Sequence, residues 1–200
     1  MMTPAQRMQS CADLIGERGV PDPWDYARRM KSTHEIGDFL AVFDAYLMAC
    51  GVRHFTALEV CTPSKDSQKV AKRTGAAESL YRDQFVLVPE VWLWQPIAAL
   101  VVGFCDPIRE ALGAPVTLRN CLRPWWINQQ VAGSGIASDH CQTASADLDL
   151  STSGDLKAAH AKARELYDQH GENLAVSMGQ GETVIHMAIH SPLGHRKWNY

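Results

Sequence analysis

No long hydrophobic run occurs in this chain: its longest apolar stretch, residues 97–105, is far short of the roughly 20 residues that span a bilayer. A transmembrane helix is therefore not expected. The opening residues mix Arg7, Asp13 and Glu17 with their apolar neighbours, so the continuous apolar core of a signal peptide is missing as well. The expectation is synthesis in the cytoplasm. Positive charge is not in excess either, because 19 Lys and Arg against 22 Asp and Glu leave a net charge of -3. Neither nucleic acid nor an anionic membrane surface is an expected partner. The six cysteines, at 11, 50, 61, 105, 121 and 141, include no Cys-x-x-Cys pair and no small-domain disulfide rhythm. Free, mostly buried thiols are expected. Internal repeats and low-complexity segments are absent too.

What is there suffices for one main domain with a sizeable core, since 200 residues carry 46% hydrophobic side chains. Thr3-Pro4-Ala5-Gln6 reads as a capping box opening a helix through Ile15, and Asp22-Pro23 opens a second through Met30. Ser32 with Glu35 opens a third, whose stripe of Ile36, Phe39, Leu40, Phe43 and Leu47 predicts a core-facing side that ends at Gly51. Residues 89–112 read as a long apolar helix interrupted at Pro96 and Pro107. Helices are also expected over 125–132 and 155–170, and strands over 116–118, 174–178 and 183–189. Helices flanking a few non-consecutive strands predict an α+β fold with a small, mostly antiparallel sheet. Residues 1–51 form a helical N-terminal extension in this scheme, and residues 52–200 the main domain.

The chemistry concentrates late in the chain. In Ser138-Asp139-His140-Cys141-Gln142-Thr143-Ala144-Ser145-Ala146-Asp147 a histidine and an aspartate lie seven residues apart, and a hydrophobic strand carrying His186 follows. Two imidazoles and one carboxylate are what a catalytic zinc needs, with one position left open. Cys141 is not counted as a ligand, because in an extended segment it faces away from His140. Trp92, Trp94, Trp125 and Trp126 suit either a substrate groove or the core, and His190, followed by Ser191-Pro192, reads as a loop residue.

From Phe55 onward, about three quarters of the chain resembles the zinc D-Ala-D-Ala carboxypeptidase family, in its phage and bacterial murein-peptidase branch, whose metal site is shared with the Hedgehog signalling domain. Phe55-Thr56-Ala57-Leu58-Glu59 is similar to the family's Phe-Thr-x-x-Glu opening, and Pro107-Ile108-Arg109-Glu110-Ala111-Leu112-Gly113 to its Pro-x-Arg-Glu-x-Leu-Gly helix end. Arg123, Asn128 and Val131-Ala132-Gly133 follow in the family's order. Ser138, His140 and Asp147 match Ser-x-His-x-x-Gly-x-Ala-x-Asp, and Val184-Ile185-His186-Met187-Ala188-Ile189 matches the late strand with its central histidine. The resemblance implies Zn²⁺ held by His140, Asp147 and His186, and Arg123 stabilising an oxyanion or gripping a substrate carboxylate. It implies a peptidase acting on peptidoglycan stem peptides or cross-links, used in phage lysis or carried on the virion, with residues 1–51 suited to attachment to other phage structural proteins. The alternative is a catalytically silent member of the fold, serving as a zinc-binding structural or wall-docking component.

Two departures from that pattern are evident. Thr143 and Ser145 replace the usual glycine and alanine, which predicts a less permissive backbone between the ligands. The family's general base, two or three residues before the last histidine, is replaced by Val184 and Thr183. Glu182 is the candidate general base, accepting the proton of the water, if a bulge or a turn at Gly181 shortens the roughly 13 Å of regular strand between it and His186; otherwise it is a solvated strand-end carboxylate.

Overall fold

The structure is a computed structural model that describes residues 33–73, 80–89, 91–121, 123, 125–130 and 138–200. The helices predicted within 3–15 and 22–30, and the motif at 131–133, lie outside the described residues.

Helix α1, Thr33–Ala49, buries the predicted stripe: Ile36 and Phe43 are fully enclosed, and Phe39, Leu40 and Leu47 nearly so. Gly51 follows with φ 96°, a left-handed conformation in which other residues are strained. The Phe55 to Glu59 motif has a local cause, since Thr56 and Glu59 form a reciprocal capping box that starts α2, Ala57–Cys61. Helix α3 spans Lys65–Arg73, and a short hairpin pairs β1, Leu80–Tyr81, with β2, Gln84–Phe85.

The predicted long helix is instead composite. A 3₁₀ turn, Val91–Leu93, leads into α4, Trp94–Leu100, then a π-helical turn, Val101–Cys105, then α5, Asp106–Leu112. Pro96 lies in the first turn of α4, where its missing N–H is not needed. Pro107 cannot donate to the carbonyl four residues back, and the wider π register just before it absorbs that loss. Gly113, at φ 70°, closes α5 by donating to the carbonyls of Arg109 and Glu110.

The remaining elements are β3, Thr117–Arg119, two one-turn helices, α6, Trp125–Asn128, and α7, Asp139–Gln142, then β4, Ser145–Asp149, α8, Leu156–His170, β5, Ser177–Gln180, β6, Val184–Ala188, and β7, Arg196–Asn199. Asp155 caps α8 by accepting from the Ala158 amide at 2.9 Å. The sheet order is β3-β4-β6-β5-β7; all neighbours are antiparallel except β5 and β7, which run parallel. The architecture is therefore α+β with a mixed five-stranded sheet, antiparallel in three of its four pairings and parallel only at the β5–β7 edge, which the sequence did not predict. Strand β7, rich in charge, lacks the apolar alternation that marks strands in sequence.

Ala146, Leu148, Met178, Ile185 and Met187 face one side of the sheet and join one hydrophobic core with α4, α5 and α8. Helix α1, assigned from sequence to the extension, contributes its whole stripe to that same core. The opposite sheet face carries Asp147 and His186. No described helix is long and apolar enough to cross a membrane.

Candidate metal centre

Strand register sets the site. Arg119, Asp147, His186, Gly179 and Trp198 are consecutive partners across all five strands, so they form one row on one face. His140 joins the row from α7. It shares a helical turn with Cys141, not the extended segment expected from sequence, and adjacent helical residues diverge by about 100°. Cys141 is consequently buried away from the cluster, although for a different reason than extended geometry.

His140, Asp147 and His186 offer ligand atoms that all lie within 4.8 Å of one another, and this group can hold a metal ion. His140 Nε2 lies 3.3 Å from Asp147 Oδ2, and His186 Nδ1 lies 2.8 Å from Asp147 Oδ1. The two imidazole rings meet edge to face with centroids 4.8 Å apart. Both histidines are buried, and Asp147 is half-buried. Two nitrogens and one oxygen converging in a water-poor setting suit a borderline-soft divalent ion.

Each imidazole is also held from behind. His140 Nδ1 is 2.8 Å from the Ser145 hydroxyl, so Ser145 orients the imidazole of this candidate ligand. His186 Nε2 is 3.3 Å from Asp139 Oδ2. Asp139 is buried and further accepts from Ser177 Oγ at 2.5 Å, Ser191 Oγ at 2.7 Å and Arg196 Nη2 at 3.2 Å. Thr143, the other departure, needs no special backbone: its φ of -152° is extended, and its hydroxyl donates to the Ile189 carbonyl at 2.5 Å. The strain anticipated from the glycine replacement is absent there.

Electrostatics follow from this packing. Burial pushes the Asp147 carboxyl up, but the charge of His140 and hydrogen bonds from both histidines outweigh it and hold the group well below the usual carboxylate range. Asp139 is likewise lowered: burial opposes ionisation, and the His186 contact with the two serine hydroxyls prevails. Burial depresses His186, yet hydrogen bonds to Asp139 and Asp147 push it up to about 9. His140 is lowered by burial, which exceeds the attraction of Asp147. The two imidazoles are thus pulled in opposite directions, His186 toward its protonated form by the two carboxylates and His140 toward its neutral form by burial.

Gly179 has a steric reason. A Cβ there would lie 2.6 Å from the Trp198 ring, so only glycine lets that indole lie across the row, with its centroid 5.4 Å from His186. Arg196 stacks over the Trp198 ring at 4.6 Å and donates to Asp139, tying β7 to that carboxylate.

Arg123 comes to the same site. It is 9% exposed, its amide donates to the His140 carbonyl at 3.0 Å, and its Nη2 donates to Ser138 Oγ at 3.2 Å. Its Nε has no hydrogen-bond partner, and among the described residues it makes no ion pair. The structure does not bring Glu182 to this group. Glu182 is exposed on the turn between β5 and β6, where its carbonyl accepts from His160 Nε2 at 3.1 Å. The pairing from Val184 through Ala188 is regular, so no bulge shortens the path to His186. His190 is an exposed loop residue, and Trp94 packs on Phe39, Phe43 and Tyr46 in the core. The side chains of Trp92, Trp125 and Trp126 lie outside the description.

Asp139, Ser145, Gly179 and Trp198 were missed from sequence. Only Ser145 carried a signal, as a polar residue at a family alanine. Asp139→Asn, which keeps the shape and removes the charge behind His186, is expected to weaken divalent-metal binding by about 10- to 100-fold. A chelator competition titration reads this directly; unchanged affinity would show that Asp139 serves the fold alone.

Comparison of the chain with protein-family models, curated proteins and solved structures finds no match.

Proposed function

We propose that this chain is a zinc peptidase of the D-Ala-D-Ala carboxypeptidase type, with a Hedgehog-like metal site, acting on peptide bonds of bacterial peptidoglycan in a phage-associated setting. The observation that carries this is the convergence of His140, Asp147 and His186, with the buried guanidinium of Arg123, which makes no ion pair among the described residues, beside them. The chemistry supplied by zinc in such a donor set is Lewis-acid polarisation of a carbonyl and acidification of water. Arg123, buried and without a carboxylate of its own among the described residues, receives a substrate carboxylate or the developing oxyanion through its planar fork. Ser138 orients that fork, and Ser145 and Asp139 hold the two imidazoles. Trp198 lies along one side of the row, its ring centroid 5.4 Å from that of His186. The test is release of amino acid or peptide from purified murein by the zinc-loaded protein. A metal-loaded protein that releases nothing would overturn the assignment.

A second reading, a silent member that binds metal for structural or docking purposes, is favoured by one observation: Glu182 is displaced to the hairpin turn. Glu182→Ala is expected to leave any murein hydrolysis at the wild-type rate. A loss of about 100-fold or more would instead make Glu182 the proton acceptor and eliminate the silent reading.

A further inference from the structure

A concave feature borders β3, the strand next to the candidate metal ligands. Between β3 and α3 runs a groove of about 600 Å³, within the range of small-ligand sites, whose walls include Ser64, Lys65, Gln68, Lys69, Thr117 and Arg119. One side chain joins it to the cluster. Asn120, turned by a left-handed φ of 53° at the end of β3, donates to Asp147 Oδ2 at 3.2 Å. Its Oδ1 accepts at 3.2 Å from the amide of Ser64, which lines the groove, and at 3.1 Å from the hydroxyl of Ser67, which is buried beneath it in the same turn. Arg119 is the strand partner of Asp147, so it occupies the next place along the metal-bearing row. The groove is therefore one strand away from the candidate ligands, reached through Arg119 and Asn120.

Its chemistry is cationic in a chain of net charge -3. Lys65, Lys69 and Arg119 line it with one acid, Asp66; Arg119 is ion-paired with Asp149, which leaves the two lysines as the positive charge available to a ligand. Lys65 has no ion pair among the described residues, and the Lys69 to Asp66 pair is exposed on both sides, hence readily exchanged for a ligand. Strand β3 is the last strand of its sheet, and among the described residues no strand pairs with its outer edge. An extended backbone can pair with such an edge while its side groups reach the flanking walls.

We propose that this groove seats a carboxylate-bearing, extended stretch of the peptide substrate beside the scissile bond; the inference rests on the peptidase assignment. The zinc-loaded full chain is tested with two synthetic pentapeptides, L-Ala-γ-D-Glu-L-Lys-D-Ala-D-Ala and the same peptide with the glutamate α-carboxylate amidated. Calorimetry should show the free carboxylate bound about tenfold more tightly. The double variant Lys65→Glu, Lys69→Glu should lose that preference while keeping its zinc content and its affinity for the amidated peptide. Both lysines are exposed, so the substitution leaves the core untouched. Equal binding of the two peptides by the wild type, binding of neither, or a preference retained in the variant would overturn the proposal. The two assignments fail separately. If the preference exists and the variant abolishes it but neither peptide is cleaved, the groove stands and the peptidase falls. If both peptides are cleaved with one KM that the variant shares, the peptidase stands and the groove falls.

Discussion

His140→Ala is expected to abolish stoichiometric zinc binding at neutral pH, lowering affinity beyond the roughly 100-fold that outer-shell losses reach. The reason is geometric: His140 is the one ligand of the three supplied by a helix, and its removal leaves Asp147 and His186 as neighbours on paired strands with no third donor among the described residues. Competition with a chromophoric chelator and elemental analysis measure the effect. Cys141→Ala provides the contrast, because Cys141 follows His140 in sequence but lies outside the ligand group, and zinc content should stay at the wild-type level. Retained zinc in the histidine variant, or lost zinc in the cysteine variant, would mean that the ligand set is wrong. Circular dichroism separates metal loss from unfolding in both.

Phe43→Ala is expected to destabilise the whole chain by about 3 to 5 kcal/mol, the range for deleting a fully enclosed aromatic side chain. Phe43 lies on α1, 4.9 Å from the Trp94 ring and 5.6 Å from Phe39, in the core that also receives the sheet. A single denaturant transition, shifted as a unit when followed both by helix signal and by tryptophan fluorescence, is the expected outcome. A small early helix transition with the main midpoint unmoved would show that α1 is an independent appendage. This experiment therefore also locates the boundary of the N-terminal extension, because a stripe shared with the sheet makes residues 33–49 part of the main core.

Much of the local structure was legible along the chain. Helix α1 and helix α8 declared themselves through apolar spacing and through Gly51 and Asp155 at their ends, since capping and periodicity act within one or two turns. The composite helix was half legible. Pro107 signalled a disturbance, but whether the backbone breaks or widens into a π turn depends on burial of Val101, Phe104 and Cys105 on both sides. Strand β7 carried no signal, because Arg196, Lys197 and Asn199 gain their pairing from β5 rather than from an apolar face. The sequence predicts an extended segment at 139–142 where the structure has a helical turn, which changes where Asp139 and Cys141 point without moving His140 out of the site.

By itself the sequence determined that this is a chain with one sizeable core, without a long apolar helix, and with His140, Asp147 and His186 as the residues to watch. Those properties depend on composition, on local spacing and on residue chemistry, all of which are written in order along the backbone. Tertiary structure alone decided how the three residues are held. The β4 to β6 register sets His186 opposite Asp147, the helical turn swings Asp139 behind His186, and β7 brings Trp198 over the one position where glycine leaves room. It also decided that Glu182 stays on the hairpin turn. Contacts between residues some 40 to 50 apart in sequence, such as His186 with Asp139, arise from strand pairing and burial across the sheet, and no local pattern encodes which partners will meet.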